Sequence, residues 1–234
     1  MESKSTTGTT AATDGIWKGG KLDKPIVILG THWLAEEIYD LITEIPGCRV
    51  SAFAENMDPE RCGLSIEGLP VIWIDELAGM AETHQAICAL GSTQKYRFIE
   101  QVESLGMPFA TLVHPTSRVS TRASLSTGCF VSANCVVSTK TVISDHVFIN
   151  RGSLIGHHAS IGRYCSVQCG VNIGGLAQIS ERTYIGMSAV ILDRVTIGEG
   201  CIIGAGSVVT KDVPDHTQVM GVPAKIVKTE VDGK

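Results

Sequence analysis

Two consecutive histidines, His157 and His158, are the side chains of this chain best suited to moving a proton near neutral pH. An imidazole changes its protonation near pH ~6.5, so it can take up a proton during a reaction and release it later. His157 lies two residues after Ile155, and we expect it to face outward beside Gly156. The pair is therefore a candidate general base; a solvated pair, or a pair packed between chains of a trimer, is the alternative that the pattern leaves open.

The eight cysteines do not form a metal-binding pattern. They contain no CxxC pair, so no zinc knuckle is expected, and the thiols favour a reducing, cytoplasmic compartment. A zinc hydro-lyase of the γ-carbonic-anhydrase kind would need three convergent imidazoles, and the spacing of His146, His157 and His158 does not provide them. We expect no metal cofactor.

A six-residue repeat surrounds these histidines. Every sixth residue from 119 to 209 is aliphatic, without a break: Val119, Leu125, Val131, Val137, Ile143, Ile149, Ile155, Ile161, Val167, Ile173, Ile179, Ile185, Ile191, Ile197, Ile203 and Val209. The residues two positions earlier, from Ser117 to Ser207, are never larger than valine. Aliphatic residues make up roughly a quarter of an ordinary chain, so this agreement does not arise by chance.

The repeat predicts a coil of short strands, in which one large and one small side chain per unit point inward and stack on the neighbouring coils. Each buried aliphatic side chain contributes about 1.5–3 kcal/mol. Glycine often follows the large residue, as in Ile155-Gly156 and Ile185-Gly186. We expect these glycines to supply the positive φ of sharp corners. The unbroken frame predicts no long projecting loop.

Before the repeat, apolar strands alternate with helical segments, which predicts a small parallel α/β domain. Ligands bind such sheets beyond the carboxyl ends of the strands, so the turns at 30–32 and 91–93 are candidate sites. Strands are expected at 25–30, 49–54, 69–74, 85–90 and 109–113, and helices at 33–45, from Asp75 and at 93–105.

Composition limits the kind of partner. A net charge of −5 gives no basic excess for a phosphate backbone, so nucleic acid is not expected. Residues 1–24 predict a disordered tail without a secretory signal, and no apolar run predicts a membrane span. We expect an α/β domain at 25–113, a β-helix at 114–215 and a C-terminal extension at 216–234.

The order of these features resembles one family. A small α/β domain is followed by His114-Pro115, the uninterrupted repeat and the sequence Gly-Val-Pro-Ala-Lys at 221–225. This resembles the hexapeptide-repeat sugar acyltransferases, which include the UDP-bacillosamine and GDP-perosamine N-acetyltransferases and the sialic acid O-acetyltransferases. The resemblance implies a Rossmann-like N-terminal domain that holds a nucleotide-linked sugar. It also implies a left-handed parallel β-helix that holds acetyl-CoA, and a homotrimer with active sites between chains.

The resemblance also implies roles for individual residues. His157 falls on the general base and Asn150 on an asparagine that orients the acceptor, while His158 stands where the family commonly has an acidic residue that assists the base. Contacts with acetyl-CoA are implied at Ser166, Gly175, Met187 and Ala205. Contacts with the nucleotide-sugar are expected at Gly30, Thr31, His32, Glu55 and Gly91.

The expected reaction is direct attack by the amino group of a nucleotide-linked amino-deoxy sugar on the thioester of acetyl-CoA, with His157 as the base. An O-acetyltransferase of sialic acid or of a capsule or lipopolysaccharide sugar would use the same fold and the same base. A non-catalytic β-helix scaffold is a further alternative, which acetyl-CoA binding would exclude.

Overall fold

A five-stranded sheet flanked by two helices builds the N-terminal domain in the computed structural model, which describes residues 24–234. The tail expected at 1–24 lies outside the described residues, apart from Lys24. The elements are β1 (Ile26–Leu29), α1 (Trp33–Thr43), β2 (Val50–Glu55), β3 (Ser65–Ile66), β4 (Leu69–Trp73), β5 (Gln85–Cys88) and α2 (Tyr96–Ser104), with 3-10 helices at Pro59–Arg61, Ile74–Gly79 and Thr93–Lys95.

The strand order is β3-β4-β2-β1-β5, and every pair except β3–β4 is parallel. The expected parallel α/β domain is therefore confirmed. Strand β3 was not predicted from the sequence; it pairs with β4 through a turn in which Glu67 and Gly68 both have positive φ. A strand of two residues carries no readable alternation, so its pairing became visible only in three dimensions.

The β-helix is built from two-residue strands at six-residue intervals. They are β6 (Leu112–Val113), β7 (Arg118–Val119), β8 (Ser124–Leu125), β9 (Phe130–Val131), β10 (Val136–Val137), β11 (Val142–Ile143), β12 (Phe148–Ile149), β13 (Leu154–Ile155), β14 (Ser160–Ile161), β15 (Ser166–Val167), β16 (Asn172–Ile173), β17 (Gln178–Ile179), β18 (Tyr184–Ile185), β19 (Val190–Ile191), β20 (Thr196–Ile197), β21 (Ile202–Ile203) and β22 (Val208–Val209). A hairpin of β23 (Gln218–Met220) and β24 (Lys225–Lys228) follows.

These strands form three parallel faces. The first face contains β7, β10, β13, β16, β19 and β22; the second contains β8, β11, β14, β17 and β20; the third contains β6, β9, β12, β15, β18 and β21 and is extended by the final hairpin. Partners in neighbouring coils are eighteen residues apart, as in Val137 and Ile155. Every large position of the repeat is buried except Leu125, and every small position except Ala123, both in the first coil.

The expected role of the glycines after the large residues is wrong. Gly156 and Gly162 do not have positive φ; instead a Cβ at either would lie 2.5 Å or 2.6 Å from a backbone nitrogen of the next coil. Positive φ recurs two residues later, at every sixth residue from Gly128 to Gly206. Most of these positions hold side chains, among them Lys140 and Arg194. The glycines therefore permit the close approach of coils, and the corners themselves tolerate side chains.

The third face carries the N-terminal domain. Phe130 and Phe148 point outward from it, stack with ring centroids 5.9 Å apart and are buried in the core of the α/β sheet. The strand expected at 109–113 is divided between the two domains, because Phe109 bridges to Ala86 while Leu112–Val113 pairs with β9. Within residues 24–234 no helix has the length and apolarity to cross a membrane.

Candidate active site

His157 and His158 lie at the corner between the first and second faces, directly after β13. Both side chains are exposed, and their Nδ1 atoms are 3.1 Å apart with the rings nearly perpendicular. His158 has a φ of 57°, which turns the chain at this corner. Because two ring nitrogens this close must share one hydrogen, the pair has one donor and one acceptor, and each ring keeps its Nε2 for another partner.

Gly175 occupies the same corner one coil further along. A Cβ at this position would lie 2.7 Å from Nε2 and 2.8 Å from Cε1 of His157, so a larger residue would displace the imidazole. The structure therefore places Gly175 against the atom of His157 that could act as a base. Among residues 24–234 no acceptor is bonded to the Gly175 amide. The Gly175 carbonyl accepts a hydrogen bond from the backbone amide of Arg194 at 2.9 Å.

An open groove runs along the first face beside this corner. Its lining includes Ser138, Leu154, Gly156, Asn172, Gly174 and Asp193. The glycines and the small Ser138 leave space, and the exposed side chain of Leu154 adds an apolar wall. A groove with apolar walls and a few polar groups suits an extended ligand that carries its reactive group at one end.

Three other predicted site residues lie at the opposite corner of the first face. Met187 and Ala205 are exposed and occupy equivalent positions in successive coils. Asn150 is 5% exposed, and its Oδ1 accepts a hydrogen bond from the Arg151 amide at 2.7 Å. Within one chain the first face separates these residues from His157, so the structure does not bring Asn150 and the imidazole together.

Ser166 lies elsewhere, on the third face beneath the N-terminal domain. It is fully buried, and its hydroxyl accepts a hydrogen bond from Nζ of Lys95 at 3.1 Å. The same ammonium group donates to the Cys165 carbonyl at 2.9 Å. Burial lowers the pKa of Lys95 to about 8. This location is a domain interface, so the position of Ser166 does not favour the expected contact with acetyl-CoA.

The carboxyl ends of β1, β2 and β5 bring together four of the five residues expected to bind a nucleotide-sugar. Gly30, with a φ of 115°, and the buried Thr31 follow β1, Glu55 ends β2, and Gly91 follows β5. His32 is exposed at the start of α1. Neighbouring parallel strands end at one edge of a sheet, so these residues share one surface.

Arg61 joins this edge and was missed by sequence analysis. Its Nε donates to the Thr31 hydroxyl at 2.8 Å and lies 3.8 Å from Oε2 of Glu55. The Thr31 hydroxyl in turn donates to Glu55. Arg61 lies thirty residues from Thr31 on a short 3-10 helix, and no local pattern signals that contact.

The carboxylate of Glu55 accepts hydrogen bonds mainly from other groups of the protein. Besides the Thr31 hydroxyl, it accepts hydrogen bonds from the amides of Asn56 and Met57, each at 2.9 Å. Burial acts to raise the pKa of Glu55, but these hydrogen bonds to the charged form outweigh it and hold the pKa below its ordinary value. Glu55 therefore braces the loop after β2, a position that does not favour the expected direct contact with substrate.

The same edge of the sheet rests against the β-helix corner that carries Asn150. The Gly91 carbonyl accepts a hydrogen bond from Nε2 of Gln168 at 3.3 Å, and Arg151 forms an ion pair with Glu37 of α1. A Cβ at Gly91 would meet the Leu34 side chain at 3.3 Å. The candidate nucleotide-sugar edge and Asn150 are therefore neighbours in one chain.

Two further histidines are buried away from the groove. His114 is bonded to Glu44 and Thr116 at the domain junction. His146 is bonded through Nε2 to Glu103 of α2 at 3.0 Å, and burial lowers its pKa. Because α2 covers it, His146 is not exposed at the groove. No cluster of three or more candidate metal ligands occurs among residues 24–234.

Comparison with known proteins gives the same architecture. Residues 177–211 match the family model described as bacterial transferase hexapeptide, six repeats. The acetyltransferase domain of PglB from Neisseria gonorrhoeae has a TM-score of 0.80 and 26% identity, over 87% of this chain and 100% of that chain. A mutant of GDP-perosamine N-acetyl transferase from Caulobacter crescentus, in complex with CoA and GDP-perosamine, has a TM-score of 0.79 and 27% identity, over 87% and 97%.

The curated relatives match over a shorter stretch. The 2,3,4,5-tetrahydropyridine-2,6-dicarboxylate N-acetyltransferase of Enterococcus faecalis is 50% identical over 56 residues, which are 24% of each chain. The matched segment spans between 24% and 30% of the length of such relatives. The expected fold class, a Rossmann-like domain followed by a left-handed parallel β-helix, is confirmed by these structures together with the sheet topology.

Proposed function

We propose that this chain, a hexapeptide-repeat protein with the two-domain fold of sugar N-acetyltransferases, transfers an acetyl group from acetyl-CoA to the amino group of a nucleotide-linked amino-deoxy sugar. The observation that carries the proposal is the exposed imidazole of His157, which lies beside an open groove with its Nε2 against Gly175. An acid–base group next to a site for an extended ligand is what thioester aminolysis requires.

In the proposed reaction His157 Nδ1 carries the hydrogen donated to His158, which leaves Nε2 free as the base. The sugar amine attacks the thioester carbonyl carbon while Nε2 removes its proton. The tetrahedral intermediate collapses as the carbon–sulfur bond breaks, and the departing thiolate takes that proton from the imidazolium. The unbonded amide of Gly175 would donate to the oxyanion, since backbone amides commonly stabilise such charges.

Acetyl-CoA would lie along the first face, with its thioester at the His157 corner. Met187 and Ala205 border this face in the later coils, and both are exposed to a ligand. The exposed Lys211 and Lys225 could meet its phosphates. The free cysteines and this co-substrate are compatible with a cytoplasmic enzyme.

The acceptor would reach His157 from a second chain. Within one chain, Asn150 and the nucleotide-sugar edge lie at one corner of the first face and His157 at the other. A homotrimer that joins unlike corners of adjacent chains would unite them, because a head-to-tail contact repeated around a three-fold axis closes into a ring.

The proposal is tested by incubating the full chain with acetyl-CoA and UDP-, GDP- or dTDP-linked 4-amino sugars while following thiol release. His157→Ala should lower kcat by roughly 10²–10⁴-fold, the usual contribution of a general base. The Kd for acetyl-CoA, measured by calorimetry, should stay unchanged. His84→Ala is the matched control, because His84 precedes β5 at the opposite edge of the sheet.

Full turnover by His157→Ala would remove this residue from the mechanism. Transfer to hydroxyl groups of sugars that lack the amine would support the O-acetyltransferase alternative, and absence of acetyl-CoA binding would support a scaffold. The shared site has its own test: mixed trimers of His157→Ala chains with Asn150→Ala chains should recover activity that neither variant shows alone. No recovery would contradict a site divided between chains.

A further inference from the structure

The segment Val231–Lys234, here called the clamp segment, leaves the last coil of the β-helix and reaches the N-terminal domain. On the β-helix the Val231 amide donates to the His216 carbonyl at 3.0 Å, and Nδ1 of His216 lies 3.0 Å from the Val231 carbonyl. The Gly233 amide donates to the Gly200 carbonyl at 2.7 Å. The Val231 side chain is buried, so this start of the segment is firmly seated.

The other end of the clamp segment is bonded to the turn after β5. The Thr93 amide donates to the Lys234 carbonyl at 2.7 Å, and the Lys234 amide donates to the Thr93 hydroxyl at 2.8 Å. Nε2 of Gln94 donates to the Asp232 carbonyl at 2.6 Å, and the Ser92 hydroxyl also donates to Lys234. These contacts join residues about 140 positions apart, and Thr93 is fully buried.

Two side chains in and next to the third face contact the side chains of the clamp segment. Arg182 lies 3.5 Å from the carboxylate of Asp232, and Nζ of Lys234 lies 4.6 Å from the centroid of the Tyr184 ring. A cation over an aromatic ring and an ion pair each add a modest attraction at partly exposed sites. Each of the two charged side chains in the segment therefore has a partner on the β-helix.

Gly233 shows how closely the clamp segment fits. Its φ is 64°, and a Cβ there would lie 2.0 Å from the Thr93 hydroxyl oxygen and 2.6 Å from the Arg182 carbonyl oxygen. The backbone of Arg182 cannot move without disturbing a coil, so even one added methyl group would lift the segment from Thr93. Only glycine satisfies both the left-handed φ and the contact.

The clamp segment also changes the interpretation of the two candidate ligand turns. The turn at 91–93 was expected to be open to a ligand, but the described chain itself is bonded to Ser92 and Thr93. Gly91, immediately before them, packs against Leu34 and is bonded to Gln168. The turn at 30–32 therefore remains as the candidate site for a substrate phosphate. The contacts that fix Thr93 also fix the edge of the sheet that carries this turn.

We infer that the clamp segment positions the nucleotide-sugar edge of the N-terminal domain relative to the acetyl-CoA groove. The inference rests on the proposed function for its kinetic consequence, whereas the docking itself does not depend on it. Thr93 and Gly233 act here as positioning residues, since neither contacts the groove. Loss of the clamp would leave acetyl-CoA binding intact, because the β-helix alone forms that groove.

The test compares Gly233→Ala with Gly68→Ala in the full chain. Gly68 also has positive φ, at 75°, but a Cβ there would meet nothing within 4 Å, so this control carries the backbone strain without the clash. Gly233→Ala should raise the KM for the nucleotide-sugar by about 5- to 150-fold, the range of ordinary coupling between sites. The KM for acetyl-CoA should change by less than about two-fold.

Hydrogen exchange gives a readout that needs no activity. Amides of Thr93 and of the first turn of α2 should exchange faster in Gly233→Ala than in Gly68→Ala. Thr93→Val, which keeps the shape but removes the bonded hydroxyl, should show a smaller change of the same sign. If exchange rises as expected while the unmodified chain transfers no acetyl group, the docking stands and the proposed function fails.

Three results would overturn the inference. Unchanged exchange at Thr93 would show that the segment does not hold the turn. Equal changes in both KM values would indicate general destabilisation. A lower KM for the sugar would indicate that the segment competes with substrate for the turn.

Discussion

The imidazoles of His157 and His158 must divide one hydrogen between two Nδ1 atoms that lie 3.1 Å apart. If Nδ1 of His158 accepts this hydrogen bond, the hydrogen of His157 lies on its Nδ1 and its Nε2 is free to take a proton from the sugar amine. His158 can therefore fix the tautomer of His157. In serine proteases a carboxylate performs this task, and its amide replacement leaves the wrong tautomer. In the histidine pair, His158 takes the place of the carboxylate, and it can accept this hydrogen bond only while its own Nδ1 is unprotonated.

Substitutions of His158 test this division of labour. His158→Leu removes the acceptor and should lower kcat by about ten-fold or more, since the orienting group of a catalytic histidine can contribute up to about 10⁴-fold. His158→Glu supplies a permanent acceptor and should keep kcat at or above that of the unmodified chain. Both variants carry the same positive φ, so backbone strain does not separate them. Equal kcat values in the two variants would contradict the role.

At the scale of the elements, the repeat depends on how closely successive coils approach. Gly162 follows the buried Ile161, and its Cα faces the backbone of Ser180 and Glu181 in the next coil. Most of the left-handed corner residues, by contrast, carry side chains, of which that of Arg194 is exposed and that of Tyr164 is buried. Glycine after the large position therefore leaves room at this corner for the backbone of the next coil.

This distinction predicts an order of stability between two variants. In Gly162→Ala the new Cβ would lie 2.6 Å from the Glu181 nitrogen, and overpacking of this kind typically costs about 1–3 kcal/mol. In Gly152→Ala the φ is 71° but nothing lies within 4 Å, so only the left-handed backbone costs, about 1 kcal/mol. Urea unfolding should give the lower midpoint for Gly162→Ala. The reverse order would restore the view that these glycines serve the corners.

For the whole molecule, the contact between the two domains contains a buried cation, Lys95, that is in contact with no carboxylate among residues 24–234. Lys95 donates to Cys165 and Ser166 and lies 5.9 Å from the centroid of the Phe148 ring. Burial lowers its pKa from an ordinary 10.5 to about 8. The facing thiols of Cys88, Cys129 and Cys165 stay neutral below about pH 10, because burial raises their pKa to about 11, 12 and 12.

The lowered pKa of Lys95 predicts a contribution to stability that rises with pH. Above pH 8 the folded chain loses this proton while the unfolded chain keeps it up to about pH 10.5, so the contribution of Lys95 to the free energy of unfolding should increase across that interval. The buried thiols act in the opposite direction above about pH 9, because their raised pKa values make the folded chain keep protons that the unfolded chain releases. The gain is at most about 3 kcal/mol. The free energy of unfolding of the unmodified chain, minus that of Lys95→Met, should therefore rise from pH 7 to pH 10, as measured by unfolding at a series of pH values. An identical pH dependence in both proteins would contradict the prediction.

The repeat was readable from the sequence because inward and outward positions alternate locally. An inward side chain packs against the side chain eighteen residues later, so side chains at equivalent positions must be of similar size. The series Val137, Ile155 and Ile173 therefore already specifies the coil. The same frame placed His157 on the outer surface beside a glycine. The α/β domain was equally local, since each strand and helix carries its own apolar pattern.

Only the tertiary structure decided which outer surfaces remain open. Ser166 has the repeat position of an outward residue, but the N-terminal domain covers it, while Leu154 at the corresponding position of another face stays exposed. The contact of Arg61 with Thr31 and the docking of Lys234 on Thr93 join residues distant in sequence. A repeat constrains each coil through its nearest neighbours, whereas domain docking depends on the combined shape of surfaces that no single segment specifies.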